Sequence, residues 1–525
     1  MRMIESSAMK AIRAKQPAKR TAATGKKQMA EASLVLLPDL AVGQVADTLF
    51  GSFIEHLGRA VYGGIYEPGH PAADAKGFRR DVIDLVRELR VPVVRYPGGN
   101  FLSGYDWRDG IGPRDRRPVR LDRAWHTVET NRIGIDEFAD WAREAGAEVM
   151  AGVNMGTGSP QDAADMVEYC NHPGGTAWSD LRKRNGHAAP HAIRWWCVGN
   201  EMDGDWQIGH LDAVSYGRKA REAIKLMRWT DDSISTVVCG SSGPGMPTWP
   251  EWDRIVLEHT YDLADCLSIH RYYENTGNDD DFLSVFRDTE RFIEASVATC
   301  DYVKAKTRSK KTMMLSFDEW NIWYQSRQEP HPWQEAPHLL EDRYSLLDAL
   351  AFGGMAISLL NHADRVRVAC LAQLVNVIAP IVAEPNGPAW RQTTFFPFRD
   401  MSLFGRGVAL RPIAKTPMRE TAWGDAPTAV FAAVRDEAAD ALTVFALNVD
   451  RERPTRARID LSTFGPTTMA ARTELTGPDL GAANSAERPD AVRPSNVRAT
   501  QGDKGVYSVT LKPASWNVIR FNLKG

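Results

Sequence analysis

The sequence has no long apolar run, no paired cysteine motif and no phosphate-binding glycine pattern, and each absence excludes a class of protein. No stretch approaches the ~18 consecutive apolar residues that a membrane-spanning helix needs. The six cysteines form no C-x-x-C pair, so a zinc or redox motif has no support. Neither a Gly-Lys-Ser/Thr loop nor a G-x-G-x-x-G run occurs, which argues against a nucleotide-dependent enzyme. The net charge of −3 gives no sign of a nucleic-acid or membrane partner.

The N-terminal segment differs from the rest of the chain. Residues 1–30 contain eight Lys and Arg against one Glu, without the apolar segment of a secretory signal. An organelle-type presequence, a basic arm and a misassigned translation start are all compatible with it, and we favour a disordered extension without a catalytic role. Four cysteines fall in apolar runs, at 197, 239, 266 and 370, which predicts buried reduced thiols and a cytoplasmic location.

Short apolar runs alternate with amphipathic helical patterns through the middle of the chain. This alternation predicts a (β/α)8 TIM barrel over residues 49–385. A strand in residues 31–48 precedes it and is expected to join a C-terminal all-β sandwich over residues 386–525, where short strands alternate with turn residues. The eight predicted barrel strands cover residues 51–56, 91–99, 148–154, 192–201, 236–240, 266–272, 312–321 and 367–373.

Two of these strands end in a glutamate, which suggests paired carboxylates at the mouth of the barrel. Glu201 follows the fourth strand, and Glu319 ends the seventh. Such a pair is the minimum equipment for glycoside hydrolysis. Arg95 and Tyr272, at the ends of the second and sixth strands, can donate hydrogen bonds to Glu319. Asp318 is a rival acid, but on a regular strand it should point away from Glu319.

Other polar side chains stand at strand ends and predict a ligand rich in hydroxyl groups. Glu55, Asn100, Asn200 and Gln373 are the candidates, and His270 lines the same region with either a structural or a catalytic role. The 16 tryptophans are either core fillers or platforms for sugar rings.

Five motifs resemble the family 51 glycoside hydrolases, and within them the intracellular bacterial-type α-L-arabinofuranosidases. They cover residues 95–101 (Arg-Tyr-Pro-Gly-Gly-Asn-Phe), 199–204 (Gly-Asn-Glu-Met-Asp-Gly), 268–273 (Ser-Ile-His-Arg-Tyr-Tyr), 317–324 (Phe-Asp-Glu-Trp-Asn-Ile-Trp-Tyr) and 372–381 (Ala-Gln-Leu-Val-Asn-Val-Ile-Ala-Pro-Ile). The resemblance extends from about Val35 to the C-terminus. The basic N-terminal extension departs from it.

The resemblance implies a role for each candidate residue. Glu201 would be the acid/base and Glu319 the nucleophile of a retaining double displacement. The arabinofuranosyl ring would be bound by Glu55, Asn100, Asn200, Tyr272 and Gln373. Arg95 and His270 would support the pair, and no metal or organic cofactor is needed. The resemblance also implies arabinofuranosyl oligosaccharides as substrates and a homo-oligomer, often a hexamer.

The sequence leaves several alternatives open. Endo-glucanase or xylosidase activity is the main alternative on the same fold, and a non-catalytic sugar-binding protein would require a lost carboxylate. The preferred linkage (1,2, 1,3 or 1,5) and the preference for polymer or oligomer are not determined. The long loop at residues 324–343 is a lid over the aglycone side, a surface insertion or an oligomer contact.

Overall fold

The computed structural model describes residues 28–325 and 333–523. In chain order its strands are β1 (Ala30–Val35), β2 (Ala41–Gln44), β3 (Gly51–Phe53), β4 (Val93–Tyr96), β5 (Arg120–Asp122), β6 (Thr127–Glu129), β7 (Glu148–Val153), β8 (Trp195–Val198), β9 (Ser235–Cys239), β10 (Cys266–Tyr273), β11 (Met314–Ile322), β12 (Val366–Ala372), β13 (Ile381–Ala383), β14 (Ala389–Arg391), β15 (Val408–Leu410), β16 (Ile413–Lys415), β17 (Met418–Thr421), β18 (Gly424–Pro427), β19 (Ala429–Asp436), β20 (Ala441–Asn448), β21 (Thr455–Asp460), β22 (Thr468–Leu475), β23 (Ser495–Asn496), β24 (Val506–Leu511) and β25 (Ser515–Asn522).

The α-helices lie mostly between the strands of the first three quarters of the chain. They are α1 (Arg80–Leu89), α2 (Ile135–Ala145), α3 (Pro160–Asn171), α4 (Ala177–Arg184), α5 (Ala213–Thr230), α6 (Glu251–Thr260), α7 (Asp279–Phe282), α8 (Phe286–Thr307), α9 (Leu346–Asn361) and α10 (Phe395–Phe404).

A closed barrel of parallel strands forms the larger part of the fold. Within the described ranges its eight strands are β3, β4, β7, β8, β9, β10, β11 and β12, each paired with the next, and β12 pairs back with β3. Every apolar run predicted as a barrel strand overlaps one of them, so the (β/α)8 prediction is confirmed. The C-terminal ends of all eight strands meet at one rim, which brings strand-end side chains together.

The helices pack their apolar faces on the barrel. In α1 the buried positions are Val82, Ile83, Leu85, Val86 and Leu89, the spacing of a one-sided amphipathic helix. Helix α9 differs, because nearly every residue from Leu346 to Leu360 is buried. It lies between barrel strand β11 and the strands β19, β20 and β25 of the C-terminal unit, so it needs apolar residues on all sides.

The C-terminal unit consists of two facing sheets. One has the order β16-β1-β21-β24, and the other has the order β2-β15-β19-β20-β25-β22-β23. Their shared core includes Leu34, Val444, Ile459, Tyr507 and Phe521, which confirms the predicted all-β sandwich. Strand β1, which precedes the barrel in the sequence, pairs with β16 and β21 and so belongs to a sheet of the C-terminal unit. The domain boundaries proposed from the sequence stay a prediction. Helix α10 lies beyond residue 385 but packs against the barrel helices α1 and α9.

Two composition-based expectations concern the thiols and the membrane. All six cysteines lie in the described part of the chain, and each is a buried free thiol, as predicted for the four in apolar runs. No helix in the described ranges is both long enough and apolar enough to cross a bilayer. The basic extension at residues 1–27 lies outside the described residues.

Candidate active site

A cleft of about 360 Å³ opens at the C-terminal rim of the barrel. Its size is within the range of small-molecule sites. Six of the residues singled out from the sequence line it, namely Glu55, Asn100, Glu201, Tyr272, Glu319 and Gln373. The other three, Arg95, Asn200 and His270, are buried behind these and contact them. The barrel therefore brings all nine candidate residues to one place.

Glu201 and Glu319 face each other across this cleft. One carboxylate oxygen of each, together with a ring nitrogen of His270, lies within 4.8 Å of the others. Glu319 is part of strand β11, whereas Glu201 follows β8 in a left-handed backbone conformation with φ of 44°. Gly199, with φ of 92°, starts this turn. An oxygen-to-oxygen distance below 4.8 Å is close to the about 5–5.5 Å between the carboxyl groups of retaining glycosidases and shorter than the spacing of inverting ones.

Glu319 accepts hydrogen bonds at both carboxylate oxygens. Arg95 Nη1 donates to Oε1 at 2.6 Å, and the Tyr272 hydroxyl donates to Oε2 at 2.8 Å. The second amino group of Arg95 donates to Asn200 Oδ1 at 2.5 Å. These donors fix the orientation of the Glu319 carboxylate. The expectation that Arg95 and Tyr272 donate to Glu319 agrees with this geometry.

Glu201 has a different environment. Burial raises the pKa of its carboxyl above the ordinary value, and the negative charge of Glu319 adds to the increase. Hydrogen bonds oppose the increase: His270 Nδ1 lies 2.9 Å from Oε1, and Trp206 Nε1 donates to Oε2 at 2.8 Å. Glu201 thus has the raised pKa that suits a general acid.

His270 is a charged group between the two glutamates. Burial alone would lower its pKa, but the charge of Glu319 and hydrogen bonds to Asp318 and Glu201 raise the pKa of His270 to about 10. Its Nδ1 lies 3.6 Å from Glu319 Oε2, and its Nε2 lies 3.1 Å from the Ser268 hydroxyl. A protonated imidazole in this position stabilises negative charge on either glutamate.

The expectation that Asp318 points away from Glu319 was wrong. Between Ser268 and His270 the pairing of β10 with β11 shifts, so that β11 contains one extra residue. This bulge turns the Asp318 carboxylate into the barrel, where Ser268 Oγ donates to it at 2.6 Å and Arg95 Nε lies 3.3 Å away. Burial would raise the pKa of Asp318, yet Arg95 and His270 lower it to about 2. Asp318 is a buried anion that holds the two cations beside Glu319.

Glu55 follows β3 in the cleft, and its hydrogen bonds join three parts of the chain. Its Oε1 accepts from the Phe101 backbone N–H at 2.9 Å and from Trp125 Nε1 at 2.8 Å. Gln373 Oε1 accepts from the Glu55 backbone N–H at 3.0 Å. Burial raises the pKa of the Glu55 carboxyl to about 8. Asn100, beside it, lies within 3.5 Å of the Asn200 amide. Carboxyl and amide groups therefore line the cleft in a pattern suited to hydroxyl groups.

Comparison with known proteins agrees with the resemblance in the motifs. Residues 85–291 match the α-L-arabinofuranosidase 1 domain, and residues 318–515 match the α-L-arabinofuranosidase C-terminal domain. The intracellular exo-α-(1→5)-L-arabinofuranosidase 1 of Bacillus subtilis is 49% identical, over 94% of this chain and 99% of that protein. The family 51 α-L-arabinofuranosidase AbfB of Bifidobacterium longum has a solved structure with a TM-score of 0.91 and 45% identity, covering 94% of this chain and all of that one.

The chain belongs to the family 51 α-L-arabinofuranosidases. A second relative from Bifidobacterium longum, an exo-α-(1→6)-L-arabinofuranosidase, is 46% identical over 94% of this chain and 97% of that protein. The names of these relatives thus give two different linkages.

Some residues of this arabinofuranosidase cleft were not identified from the sequence. Trp125 and Trp206 each donate an indole N–H to a cleft carboxylate, and Trp323 packs edge-on against Tyr272 at 5.0 Å. The high tryptophan content was the only signal, and it does not separate these residues from core tryptophans. Trp196, for example, is completely buried.

The predicted lid of this arabinofuranosidase is only partly described. Residues 326–332 lie outside the described residues, which start again at Trp333. Trp333 lies 5.1 Å from His126, between ring centroids, and Leu340 lines the cleft. The choice between lid and surface insertion stays open.

Proposed function

We propose that this protein is a retaining exo-acting α-L-arabinofuranosidase that removes terminal non-reducing α-L-arabinofuranosyl residues from arabinan- and arabinoxylan-derived oligosaccharides. The observation that carries the proposal is the pair Glu201 and Glu319, whose carboxylate oxygens lie within 4.8 Å of each other in one cleft. Burial raises the pKa of Glu201, whereas Glu319 accepts a hydrogen bond from Arg95. Family membership supports the arabinofuranosyl substrate. The intracellular names of several relatives support a cytoplasmic enzyme acting on short oligosaccharides.

In the first step Glu319 attacks the anomeric carbon of the sugar. A bond forms between a Glu319 carboxylate oxygen and that carbon, and the bond from the carbon to the leaving oxygen breaks. Glu201 gives its proton to the leaving oxygen, so the aglycone departs as a neutral alcohol. The hydrogen bonds of Arg95 and Tyr272 hold Glu319 in line for the attack.

In the second step water cleaves the glycosyl-enzyme. Glu201, now a carboxylate, takes a proton from the water as its oxygen bonds to the anomeric carbon, and Glu319 leaves as a carboxylate. Charge alternates between the two glutamates, and His270 contacts both. Its positive charge therefore stabilises whichever glutamate is ionised. Two displacements on opposite faces return the original configuration.

Roles in sugar binding follow from position. Glu55, Asn100 and Gln373 line the cleft and supply acceptors and donors for ring hydroxyls. Asn200 is held by Arg95 next to Glu201, where its amide N–H can reach the hydroxyl beside the anomeric carbon. Trp206 is 48% exposed at the cleft edge and offers a flat face to the aglycone. Homo-oligomer formation is part of the proposal and rests on family resemblance.

Product analysis on matched oligosaccharides tests the substrate and the exo action. α-1,5-Arabino-oligosaccharides labelled at the reducing end should lose one arabinose at a time, leaving labelled products shorter by single residues. Xylo- and gluco-oligosaccharides of equal length should remain intact. Internal cleavage of the arabinan series would overturn exo action. Cleavage of the glucan or xylan series alone would keep the two glutamates but overturn the substrate assignment in favour of an endo-glucanase or xylosidase.

A further inference from the structure

A second cluster of metal-ligating side chains lies outside the sugar cleft. Asp136 is in the first turn of α2, and His187 and His191 are in the segment between α4 and β8. One ligand atom from each of the three lies within 4.8 Å of the others. None of the three lines the cleft, and the proposed hydrolytic mechanism does not use them.

The carboxylate of the cluster is buried and oriented. Asp136 is 2% exposed, and its Oδ1 lies 2.7 Å from His191 Nε2. The Tyr169 hydroxyl donates to Oδ2 at 2.6 Å, and Asn185 Nδ2 donates to that hydroxyl at 3.0 Å. Outer contacts of this kind fix the direction of a ligating carboxylate.

The two histidines are presented by an anchored segment. The His191 backbone N–H donates to the Cys170 carbonyl at 2.8 Å. The His187 backbone N–H donates to the Arg182 carbonyl at 3.1 Å, and Arg182 Nε donates to the His187 carbonyl at 3.1 Å. The rings lie 5.0 Å apart between centroids, at 55° to each other. Both imidazoles are therefore held close to one carboxylate before any ion binds.

We propose that Asp136, His187 and His191 bind a divalent transition-metal ion of the Zn²⁺, Co²⁺ and Ni²⁺ class, with water in the remaining position. Two imidazoles and one carboxylate suit these ions better than Mg²⁺ or Ca²⁺, which prefer oxygen ligands. Binding at His191 Nε2 places the ring proton on Nδ1 and replaces the direct contact with Asp136 by two metal bonds.

The geometry requires only a small adjustment. Ligand atoms about 2.1 Å from a tetrahedral ion lie about 3.4 Å from each other. The atoms reach this spacing if the half-buried His187 side chain moves inward by on the order of 1 Å and the 2.7 Å contact between His191 Nε2 and Asp136 Oδ1 widens by about 0.7 Å. Asp140, one turn further along α2, is not included in the site, because Lys76 Nζ and Arg143 Nη1 engage its carboxylate at 3.1 Å and 2.9 Å.

The test is a Co²⁺ titration of chelator-treated full-length protein, followed by visible absorption and by calorimetry. We expect one Co²⁺ ion bound per chain, with the intense visible absorption bands that a site of low coordination number gives. His187→Ala should weaken binding by at least about 100-fold, and Tyr169→Phe, which removes only an outer contact, by about 10-fold. His172→Ala, at a nearby histidine outside the cluster, should leave binding unchanged and is the matched control.

Two further measurements separate this site from its alternatives. The catalytic cluster Glu201, His270 and Glu319 is the competing place for an ion. Glu201→Gln should therefore keep Co²⁺ binding at the wild-type level, and His187→Ala should keep wild-type hydrolysis of an aryl α-L-arabinofuranoside. Binding lost in Glu201→Gln but retained in His187→Ala would overturn the proposal. So would the absence of Co²⁺, Zn²⁺ and Ni²⁺ binding by folded wild-type protein.

Discussion

His270→Asn should shift the alkaline limb of the pH–rate profile to higher pH. The pKa of His270 is raised to about 10, so the imidazole is charged at neutral pH. Its Nδ1 lies 2.9 Å from Glu201 Oε1, and this contact opposes the increase in the Glu201 pKa caused by burial. Without the cation, Glu201 holds its proton to higher pH, and the acid form required for the first step persists.

The size of the shift follows from the contact. A hydrogen bond between charged partners contributes about 1.5–3 kcal/mol. One pKa unit corresponds to about 1.4 kcal/mol, so the limb should move by about 1–2 units. The assay is kcat/KM against pH with α-1,5-arabinobiose, whose leaving group needs protonation; this parameter reports the free enzyme.

A matched control separates this effect from general damage to the fold. His56 is also buried and paired with a carboxylate, Glu129 at 2.7 Å, but it does not contact the catalytic pair. His56→Asn should leave the alkaline limb in place. If the limb of His270→Asn stays or moves to lower pH, His270 is not a cation that stabilises ionised Glu201, and the charge assignment in the cleft is refuted.

Three other substitutions have definite expected results. Trp206→Phe removes the 2.8 Å indole donor to Glu201 and should move the same limb upward by less than His270→Asn, because Trp206 is uncharged and half exposed. Gly99→Ala places a methyl group 3.0 Å from Glu55 Oε2 and 3.3 Å from Glu319 Oε1, so KM should rise about 10-fold and the melting temperature should fall. Glu129→Gln should lower the melting temperature at neutral pH and flatten its decrease on acidification. Burial would raise the pKa of Glu129, but the charge and hydrogen bond of His56 lower it, so this stabilisation is present above the unfolded-state pKa and is lost as pH falls through the folded value.

Two of these variants have a matched control, and each of the three has a contradicting outcome. Gly69→Ala adds a methyl group in open space and should leave the kinetics unchanged. If Gly99→Ala has the same KM as Gly69→Ala, the sugar does not approach the backbone at residue 99. Glu148→Gln, at an exposed position, should show the wild-type dependence of melting temperature on pH. An equally steep dependence in Glu129→Gln would assign the acid sensitivity to other groups. If the alkaline limb of Trp206→Phe lies at the wild-type pH, the Trp206 indole does not bind ionised Glu201.

The barrel and its rim were predictable because local patterns determine them. Short apolar runs bounded by polar residues become buried parallel strands, and a residue at a strand end must lie at the rim, which is how Arg95, Tyr272 and Glu319 come together. The bulge beside Asp318 was not predictable, since an extra residue in one strand leaves the apolar pattern unchanged. The contacts of Trp125 and Trp206 depend on loop conformations that no periodicity encodes.

The stereochemistry of the first-formed hydrolysis product tests the central claim most directly. An aryl α-L-arabinofuranoside is hydrolysed in the NMR tube by wild-type protein and by Glu319→Ala, with and without azide. We expect the wild type to release the α anomer first. We expect Glu319→Ala to be inactive alone and to form the β-configured azido sugar with azide. Initial release of the β anomer by the wild type, or unassisted turnover by Glu319→Ala, would contradict a retaining mechanism with Glu319 as the nucleophile.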